Sequence, residues 1–184
     1  MRNRAGVETA ERIMAATRTL LADAGLEGTT VKAICEAANV RAGSFYNLFE
    51  SKEEVVLSVV REAIQAVDPH PGHTETDTVS DLVEAYIRFV TEEPVLARVY
   101  VSVAVSGAVT DDVIRARVLR HHQARLDRFA AALRRDRPDL GGTAARDLME
   151  AMLAALNGYT LQHMLDPAFD FAGHGRRLLG MEPA

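Results

Sequence analysis

The stretch that decides the fold is GLEGTTVKAICEAANVRAGSFYNLFESKEEV, residues 25–55. It begins at Gly25, which follows apolar residues spaced three and four apart from about 9 to 24 and predicts the end of a first helix there. Thr30 lies where a helix N-cap belongs, and Asn39 tolerates the left-handed conformation of a tight turn. These signals predict two short helices, one on either side of Asn39, joined by that turn.

Another helix is predicted directly after this pair. Ser51 and Glu54 have the spacing of a capping box, and apolar residues continue the helical period to about Val67. Two short helices joined by a tight turn, with other helices packed behind them, form a helix-turn-helix motif. Phe45 and Phe49 are four residues apart, so we expect both to face the helices behind and to anchor the second short helix.

This pattern resembles the DNA-binding domain of the TetR family of bacterial repressors over about residues 7–60. The resemblance is carried by Thr29-Thr30, by Gly43-Ser44-Phe45-Tyr46 and by Phe49-Glu-Ser-Lys52-Glu-Glu. It implies that the second short helix lies in the major groove of double-stranded operator DNA. The expected DNA-binding residues are Thr30, Lys32, Arg41, Ala42, Gly43, Ser44, Tyr46, Asn47 and Lys52.

The chemistry of these side chains suits a DNA partner. Arg41 has the geometry to bond bidentately to guanine, and Asn47 to adenine. Tyr46 matches a phosphate-contacting tyrosine of the family. Lys52 and Thr30 lie at predicted helix N-termini, where backbone N–H groups already favour a phosphate. The alternatives are that Arg41 is merely solvated, that Asn47 contacts no base, and that Tyr46 belongs to the core.

Two positions depart from the family's pattern. Asn39 stands at the turn where glycine is common, which is physically tolerable. Arg41 stands where a serine or threonine often caps the recognition helix. Because arginine accepts no hydrogen bond, either the cap is lost or arginine replaces it for the sake of base or phosphate contact, and we favour contact. Arg2 and Arg4 form a basic N-terminal arm that has the reach to enter an adjacent groove.

Composition limits the class of protein. The chain has 184 residues, 48% of them hydrophobic and 26% charged, which is typical of a globular domain and excludes a disordered or collagen-like chain. The single cysteine, Cys35, forms no intrachain disulfide and favours a reducing compartment. No apolar run is long enough to span a bilayer, so we expect a cytoplasmic protein with no membrane partner. Residues 1–52 hold seven Lys and Arg against six Asp and Glu, whereas the whole chain has a net charge of −5.

The pattern is helical almost everywhere, so the predicted fold class is all-α: a helix-turn-helix domain followed by a helical ligand-binding and dimerisation domain. Prolines and glycine break the helical period at 68–77. The predicted division is a DNA-binding domain at 1–52, a connecting helix at 53–67, a linker at 68–77, and a regulatory and dimerisation domain at 78–184.

The C-terminal domain is predicted to end with two long helices, at about 110–136 and 143–165. Before them, Pro94 is predicted as the first residue of an apolar helix that Gly107 ends. The resemblance implies that the closing pair forms a four-helix interface with the same pair of a second copy, giving a homodimer, although the same apolar faces would also serve as intramolecular core. The candidate interface residues are Val118, Leu126, Leu148, Met152, Ala155, Leu156 and Met164.

The resemblance also implies a small effector that binds inside the C-terminal domain and shifts the population between DNA-competent and incompetent states. We expect a largely apolar effector because few fixed charges lie among the apolar residues. For each candidate the alternative is ordinary core packing. The candidate ligand-binding residues are Tyr86, Phe89, Tyr100, Val103, Phe129, Met152, Asn157 and Tyr159.

Signals of an enzyme or a metal site are weak. No Gly-rich phosphate loop, nucleophile elbow or H-E-x-x-H motif occurs. His121 and His122 are adjacent and point apart, and His70, His73 and Asp77 lack a full ligand set. We therefore expect no catalytic residue, metal or cofactor. Two alternatives stay open: the same fold without an effector, and a helical carrier or enzyme that lacks specific DNA binding.

Overall fold

The structure is a computed structural model that describes residues 4–67, 76–110 and 112–180. Over these residues the chain is helical and has no strand, which confirms the all-α prediction. Arg2, His70 and His73 lie outside the described residues. The helices are α1 (Arg4–Gly28), α2 (Val31–Ala38), α3 (Ala42–Tyr46), α4 (Lys52–Val67), α5 (Val79–Glu92), α6 (Pro94–Thr110), α7 (Asp112–Asp136), α8 (Gly142–Leu165), α9 (Phe171–Arg177) and a final 3-10 turn, Leu178–Gly180.

The chain divides into two compact units. The first comprises Met1–Ala66 and Pro94–Ala116, and the second comprises Val67–Glu93 and Arg117–Ala184. In the first unit α6 packs against α1. The sequence-based division had grouped α6 with the regulatory domain, so packing and predicted function divide the chain differently here. The functional division stays a prediction.

The first unit is built around a core shared by α1, α2, α3 and α4. A helix of five residues, such as α3, is not stable alone in water, so its position depends on tertiary packing. Phe45 provides this packing: it is completely buried, and its ring centroid lies 5.8 Å from that of Phe49. The buried members of this core are Ile13, Ala16, Ile34, Cys35, Ala38, Phe45, Phe49 and Val55.

Two consecutive threonines join α1 to α2. Gly25 has a φ of 65° and interrupts the regular helical conformation of α1, where its end was predicted. The buried Thr29 hydroxyl donates to the Gly25 carbonyl over 2.7 Å, which satisfies a helix-end acceptor. The Thr30 hydroxyl accepts from the Ala33 N–H at 3.1 Å, so the predicted N-cap of α2 is confirmed.

The turn between α2 and α3 depends on Asn39. This residue has φ 52° and ψ 53°, the left-handed conformation that a glycine commonly supplies. Its N–H donates to the Glu36 carbonyl at 3.2 Å, and the Val40 N–H donates to the Cys35 carbonyl at 2.9 Å. This pair of bonds is the Schellman arrangement, which satisfies the last carbonyls of α2. The asparagine therefore replaces glycine without loss of the turn.

The start of α4 follows the capping prediction with one difference. The Ser51 hydroxyl accepts from the Glu54 N–H at 3.2 Å, as a capping box requires. The Glu54 carboxylate accepts from the N–H of Glu50, at 2.6 Å, instead of that of Ser51. Further along α4, Glu62 binds Arg18 of α1 at 2.9 Å, so an ion pair joins the two helices.

α6 begins at Pro94 as predicted. The prediction that Gly107 ends this helix is wrong, because α6 continues to Thr110. A glycine inside a helix costs only about 1 kcal/mol relative to alanine, which the neighbouring turns of a helix can offset.

The second unit surrounds Tyr86 of α5. This ring is 1% exposed and contacts Phe171 of α9 edge-on, with the centroids 6.2 Å apart. Its hydroxyl bonds to Asn157 at 3.1 Å and to Thr160 at 2.9 Å, both in α8. Arg176 of α9 binds the carboxylate of Glu84 on α5 at 2.6 Å and lowers the pKa of that carboxyl. These contacts join α5, α8 and α9 into one body.

The anchoring of α3 can be tested by two adjacent substitutions. Phe45→Ala removes a completely buried ring, so we expect the free energy of unfolding to fall by about 3–5 kcal/mol. Tyr46→Ala is the matched control because Tyr46 is 57% exposed; we expect it to cost about 1 kcal/mol or less. Urea titration of the whole chain, followed by circular dichroism, measures both. Equal losses for the two variants would contradict the proposed anchor.

Candidate DNA-binding site

The candidate DNA-binding site begins with the outward face of α3. Phe45 is the buried side chain of α3, and the residues around it are mostly exposed. We call these outward residues the α3 surface: Arg41, Ala42, Gly43, Tyr46 and Asn47 are exposed, and Ser44 is half-buried. Six of the nine predicted DNA-binding residues therefore lie together, exposed or half-buried, on this short segment.

Arg41 occupies the N-cap position of α3. Its backbone is extended, with φ −81° and ψ 153°, and its side chain makes no capping hydrogen bond. The exposed guanidinium is therefore not used by the helix end. The cap is therefore absent, while the favoured contact of Arg41 with DNA stays a prediction.

Gly43 and Tyr46 lie on this surface for different reasons. A Cβ built on Gly43 would meet nothing within 4 Å, so the fold itself does not require glycine there. Glycine at an open position on a helix face lets another molecule approach the backbone closely. Tyr46 is 57% exposed and contacts Phe45 edge-on at 5.3 Å, so its hydroxyl is not a core group.

The predicted contacts on α2 are exposed as well. Thr30 uses its oxygen to accept the Ala33 N–H, which leaves the hydroxyl proton available for a phosphate. The Lys32 ammonium lies 4.0 Å from the Glu36 carboxylate, and both side chains are largely exposed. An exposed pair of this kind is weak, so a phosphate can compete for the lysine.

Lys52 is the first residue of α4 and is half-buried. Its position at a helix N-terminus favours an anion. The same first turn also contains Glu53 and Glu54, whose carboxylates oppose the approach of a phosphate. The positive field at this end of α4 is therefore weaker than the lysine alone would suggest.

An open groove lies between α2 and α3. It has a volume of about 430 Å³ and is lined by Val31, Lys32, Cys35, Glu36, Asn39, Val40, Ala42 and Tyr46. Cys35 is mostly buried; this burial, and to a smaller extent the carboxylate of Glu36, raise the pKa of its thiol. A raised pKa keeps Cys35 as the neutral thiol, the less reactive form.

The predicted ligand-binding residues divide between the two compact units. Tyr86, Phe89 and Phe129 are buried in the second unit, where the Tyr86 and Phe89 rings are 6.2 Å apart. Asn157 joins them through its bond to Tyr86. Tyr159, in the same unit, instead packs on Phe169 and His174, at 5.9 and 5.3 Å. Of the others, Met152 is half-buried in the second unit, and Tyr100 and Val103 belong to the first unit.

The predicted interface residues differ in exposure. Leu126 is 3% exposed and Leu156 is not exposed at all in the single chain, so in this structure neither side chain is available to a partner. The other five, Val118, Leu148, Met152, Ala155 and Met164, are half-buried. A clearer exposed stripe runs along α8, which we call the α8 stripe: Ala151, Ala154, Gly158, Leu161 and Leu165. Four of these residues also belong to the helix face that the sequence offers for a dimer, and the spacing of three and four residues extends it to Leu165.

Sequence reasoning also missed Arg125 on α7. Its side chain is buried, and its guanidinium carbon lies 4.2 Å from the Tyr86 ring centroid and 5.6 Å from that of Phe129. The Nη1 and Nη2 atoms have no hydrogen-bond partner in the described structure. The available signal was helical phase, because Phe129 and Ala132 lie four and seven residues later on the same face.

Metal sites and membrane-spanning helices are the other features of interest. Among the described residues, no three His, Cys, Asp or Glu side chains cluster in a way that could hold a metal ion. Across the same part of the chain, no helix is both long enough and apolar enough to cross a membrane.

Comparison with known proteins identifies relatives of this site. Residues 13–59 match the family described as “Bacterial regulatory proteins, tetR family”. The HTH-type transcriptional repressor KstR2 of Mycolicibacterium smegmatis is 38% identical over 52 residues, which are 28% of this chain and 25% of that protein. The match thus spans about a quarter of the length of this curated relative.

Solved structures extend the likeness to the whole chain. A TetR-family transcriptional regulator from Agrobacterium tumefaciens has a TM-score of 0.79 and 22% identity, over 97% of this chain and 100% of that one. SmeT, the repressor of the Stenotrophomonas maltophilia multidrug efflux pump SmeDEF, has a TM-score of 0.66 and 26% identity. The match covers 95% of this chain and 89% of SmeT. The fold of this chain is therefore shared from end to end with bacterial regulators.

The uncapped N-terminus of α3 predicts a gain in stability. Arg41→Ser supplies a hydroxyl that can accept from a first-turn N–H, so we expect the free energy of unfolding to rise by about 1 kcal/mol. Arg41→Ala removes the same guanidinium without supplying a cap and is the matched control. Urea titration compares the two variants. If Arg41→Ser is no more stable than Arg41→Ala, the N-terminus of α3 is already satisfied and this account of Arg41 is wrong.

Proposed function

Through residues 13–59 this chain belongs to the tetR family of bacterial regulatory proteins, and from that premise we propose that it binds a two-fold symmetric DNA operator as a homodimer and represses transcription until a small effector releases it. The proposed site of action is the cytoplasm. The matched residues contain the whole α3 surface. The names of the relatives KstR2 and SmeT, both repressors, support the proposed sign of regulation.

The observation that carries this proposal is the exposure of the α3 surface. Arg41, Tyr46 and Asn47 offer hydrogen-bonding groups that the fold leaves unused by any cap or core contact. Gly43 leaves open space between them. A short helix with small and hydrogen-bonding residues outward is what the DNA major groove admits. We assign Arg41 and Asn47 to base edges, and Tyr46, Thr30, Lys32 and Lys52 to phosphates.

A homodimer follows from the small size of this surface. One five-residue helix reaches few base pairs, whereas two copies related by a two-fold axis read two half-sites about 34–36 Å apart. We assign the α8 stripe to the dimer interface, since Leu161 is 49% and Leu165 is 73% exposed in the single chain. The small residues of the stripe would let two copies of α8 approach closely.

The effector is assigned to the second unit. The aromatic cluster of Tyr86, Phe89 and Phe129, with the amide of Asn157, provides an apolar surface with one polar neighbour. An effector that binds one conformation of the dimer better than another shifts the population between them, which is how binding would release DNA.

The alternative is a helical carrier or enzyme of the same fold that does not bind DNA specifically. Such a protein would have no use for an exposed arginine, tyrosine and asparagine on an uncapped helix. Binding of DNA therefore distinguishes the two functions: a carrier would bind its ligand and show no preference among DNA sequences.

One arginine substitution and one lysine substitution distinguish base contacts from phosphate contacts. For Arg41→Ala we expect specific binding to weaken by about 1–3 kcal/mol per half-site and the preference at one base position to relax. For Lys52→Ala we expect all sequences to be bound more weakly, and the slope of log K against log salt to fall by about one per protomer.

The measurement starts from random duplex DNA, from which the wild-type protein selects its preferred sequence. Fluorescence anisotropy at several salt concentrations then compares the selected duplex with a scrambled one for each variant. An unchanged base preference would remove Arg41 from base recognition, and an unchanged salt slope would remove Lys52 from phosphate contact.

The α8 stripe predicts the oligomeric state. Leu161→Glu places a charge on the proposed interface, so we expect a monomer in which the fold is retained, because the side chain is half exposed in the single chain. Val7→Glu makes a similar change at an exposed valine of α1 and serves as the control. Light scattering after size-exclusion chromatography measures the mass. A dimer that persists in Leu161→Glu would place the interface elsewhere.

A further inference from the structure

Arg125 is a buried cation in an otherwise apolar and aromatic environment. It is 8% exposed, and it lies in α7 between Phe129, one turn later, and the Tyr86 ring of α5. Tyr86 and Phe129 are themselves almost completely buried. A charge in such surroundings is costly unless an opposite charge or several hydrogen bonds compensate it.

The rings compensate only part of this cost. Tyr86 and Phe129 attract the guanidinium through their π faces, a contact that strengthens when water is excluded. Cation–π contacts do not use the N–H groups, which lie in the plane of the guanidinium and form a fork of donors. The two terminal nitrogens, Nη1 and Nη2, have no acceptor in the described structure.

Three carboxylates of the second unit bind other arginines. Asp77 accepts from Arg128 at 3.0 Å, and Glu84 accepts from Arg176 at 2.6 Å. Asp127, two residues after Arg125 in the chain, pairs with Arg146. None of these three groups binds Arg125, whose terminal nitrogens lack an acceptor in the described structure and can take one from outside the chain.

We propose that Arg125 binds the carboxylate of the effector, and that the effector is a carboxylic acid with an aromatic or aliphatic body. This inference rests on the proposed function, whose effector site it deepens. A carboxylate presents two oxygens that match the two terminal nitrogens of arginine in a bidentate pair. The rings of Tyr86, Phe89 and Phe129 would contact the body. The effector expected from the sequence was largely apolar; Arg125 adds one anionic group to it.

The neighbouring polar groups are consistent with this assignment. The Tyr86 hydroxyl bonds to Asn157 and to Thr160, and the Thr160 hydroxyl also donates to the Leu156 carbonyl at 2.9 Å. This network holds the Tyr86 ring in place against the guanidinium. Arg125 is therefore oriented by a ring that is itself fixed, which prepares its donors for a ligand.

The test compares carboxylic acids with their uncharged amides. Thermal unfolding of the full-length protein is recorded with millimolar octanoate, decanoate, benzoate and 3-phenylpropanoate, and with the primary amide of each. Acetate at the same concentration controls for ionic strength. We expect at least one acid to raise the unfolding temperature, because a ligand that binds only the folded state stabilises it, and we expect its amide and acetate to have little effect.

The variants identify the residue responsible. Arg125→Met keeps an unbranched, mostly aliphatic side chain and removes the charge and its donors, so we expect titration calorimetry to show about tenfold to hundredfold weaker binding of the acid. Arg125→Lys, which keeps the charge and loses the fork, should lie in between. Arg134→Met, at an exposed arginine of the same helix, should bind like the wild type. Circular dichroism establishes that each variant is folded.

Two results would overturn the inference: no acid stabilises the wild type more than its amide, or the difference persists in Arg125→Met. The first of these needs no variant, so a failure of Arg125→Met to fold leaves the test intact. None of these measurements uses DNA. If the wild type selects no DNA sequence but distinguishes acid from amide, the proposed function fails, and Arg125 stands as a carboxylate-binding site only.

Discussion

The burial of Phe45 is the contact on which the α3 surface depends. Five residues are too few for a stable helix in water, so α3 exists because its aromatic side chain fills the core made by α1, α2 and α4. Burial of one side fixes the rotation of the helix about its axis. Tyr46 and Asn47, which follow Phe45, are exposed for that reason, and Arg41 is exposed at the extended N-cap; Asn39 sets the direction in which the helix leaves the turn. A single packing contact thus determines both the stability of the motif and what it presents to a partner.

Local chemistry made most of this motif predictable. The N-cap at Thr30, the left-handed turn at Asn39 and the lost cap at Arg41 each depend on residues within one turn of the chain, so a sequence contains the information needed. Phe45 and Phe49 were predictable because their spacing leaves one face for the core. The end of α6 was not predictable. A single glycine such as Gly107 only weakens a helix, and whether the helix continues depends on packing elsewhere.

Tertiary packing determines which side chains are buried and which are exposed, and the sequence pattern alone does not. The apolar period of α8 marks residues that avoid water, but it does not say whether a neighbouring helix or a second copy covers them. Leu156 turned out to be interior, while Leu161 and Leu165 are exposed. Arg125 was missed for the same reason. One arginine among several in the same helix is expected to be solvated unless the residues that pack around it are known. Our proposal for Arg125 adds one anionic group to the largely apolar effector that the sequence led us to expect.

The central claim is that this chain recognises a DNA sequence through α3, and a salt-titrated binding curve tests it most directly. The duplex selected from random DNA and a scrambled duplex are compared over a range of salt concentrations. Few basic groups flank α3, so the account predicts a shallow slope, about −4 if Lys32 and Lys52 of two protomers each bind one phosphate, with the selected duplex bound at least about a thousandfold more tightly. Equal, weak binding of both duplexes at every salt concentration would contradict it.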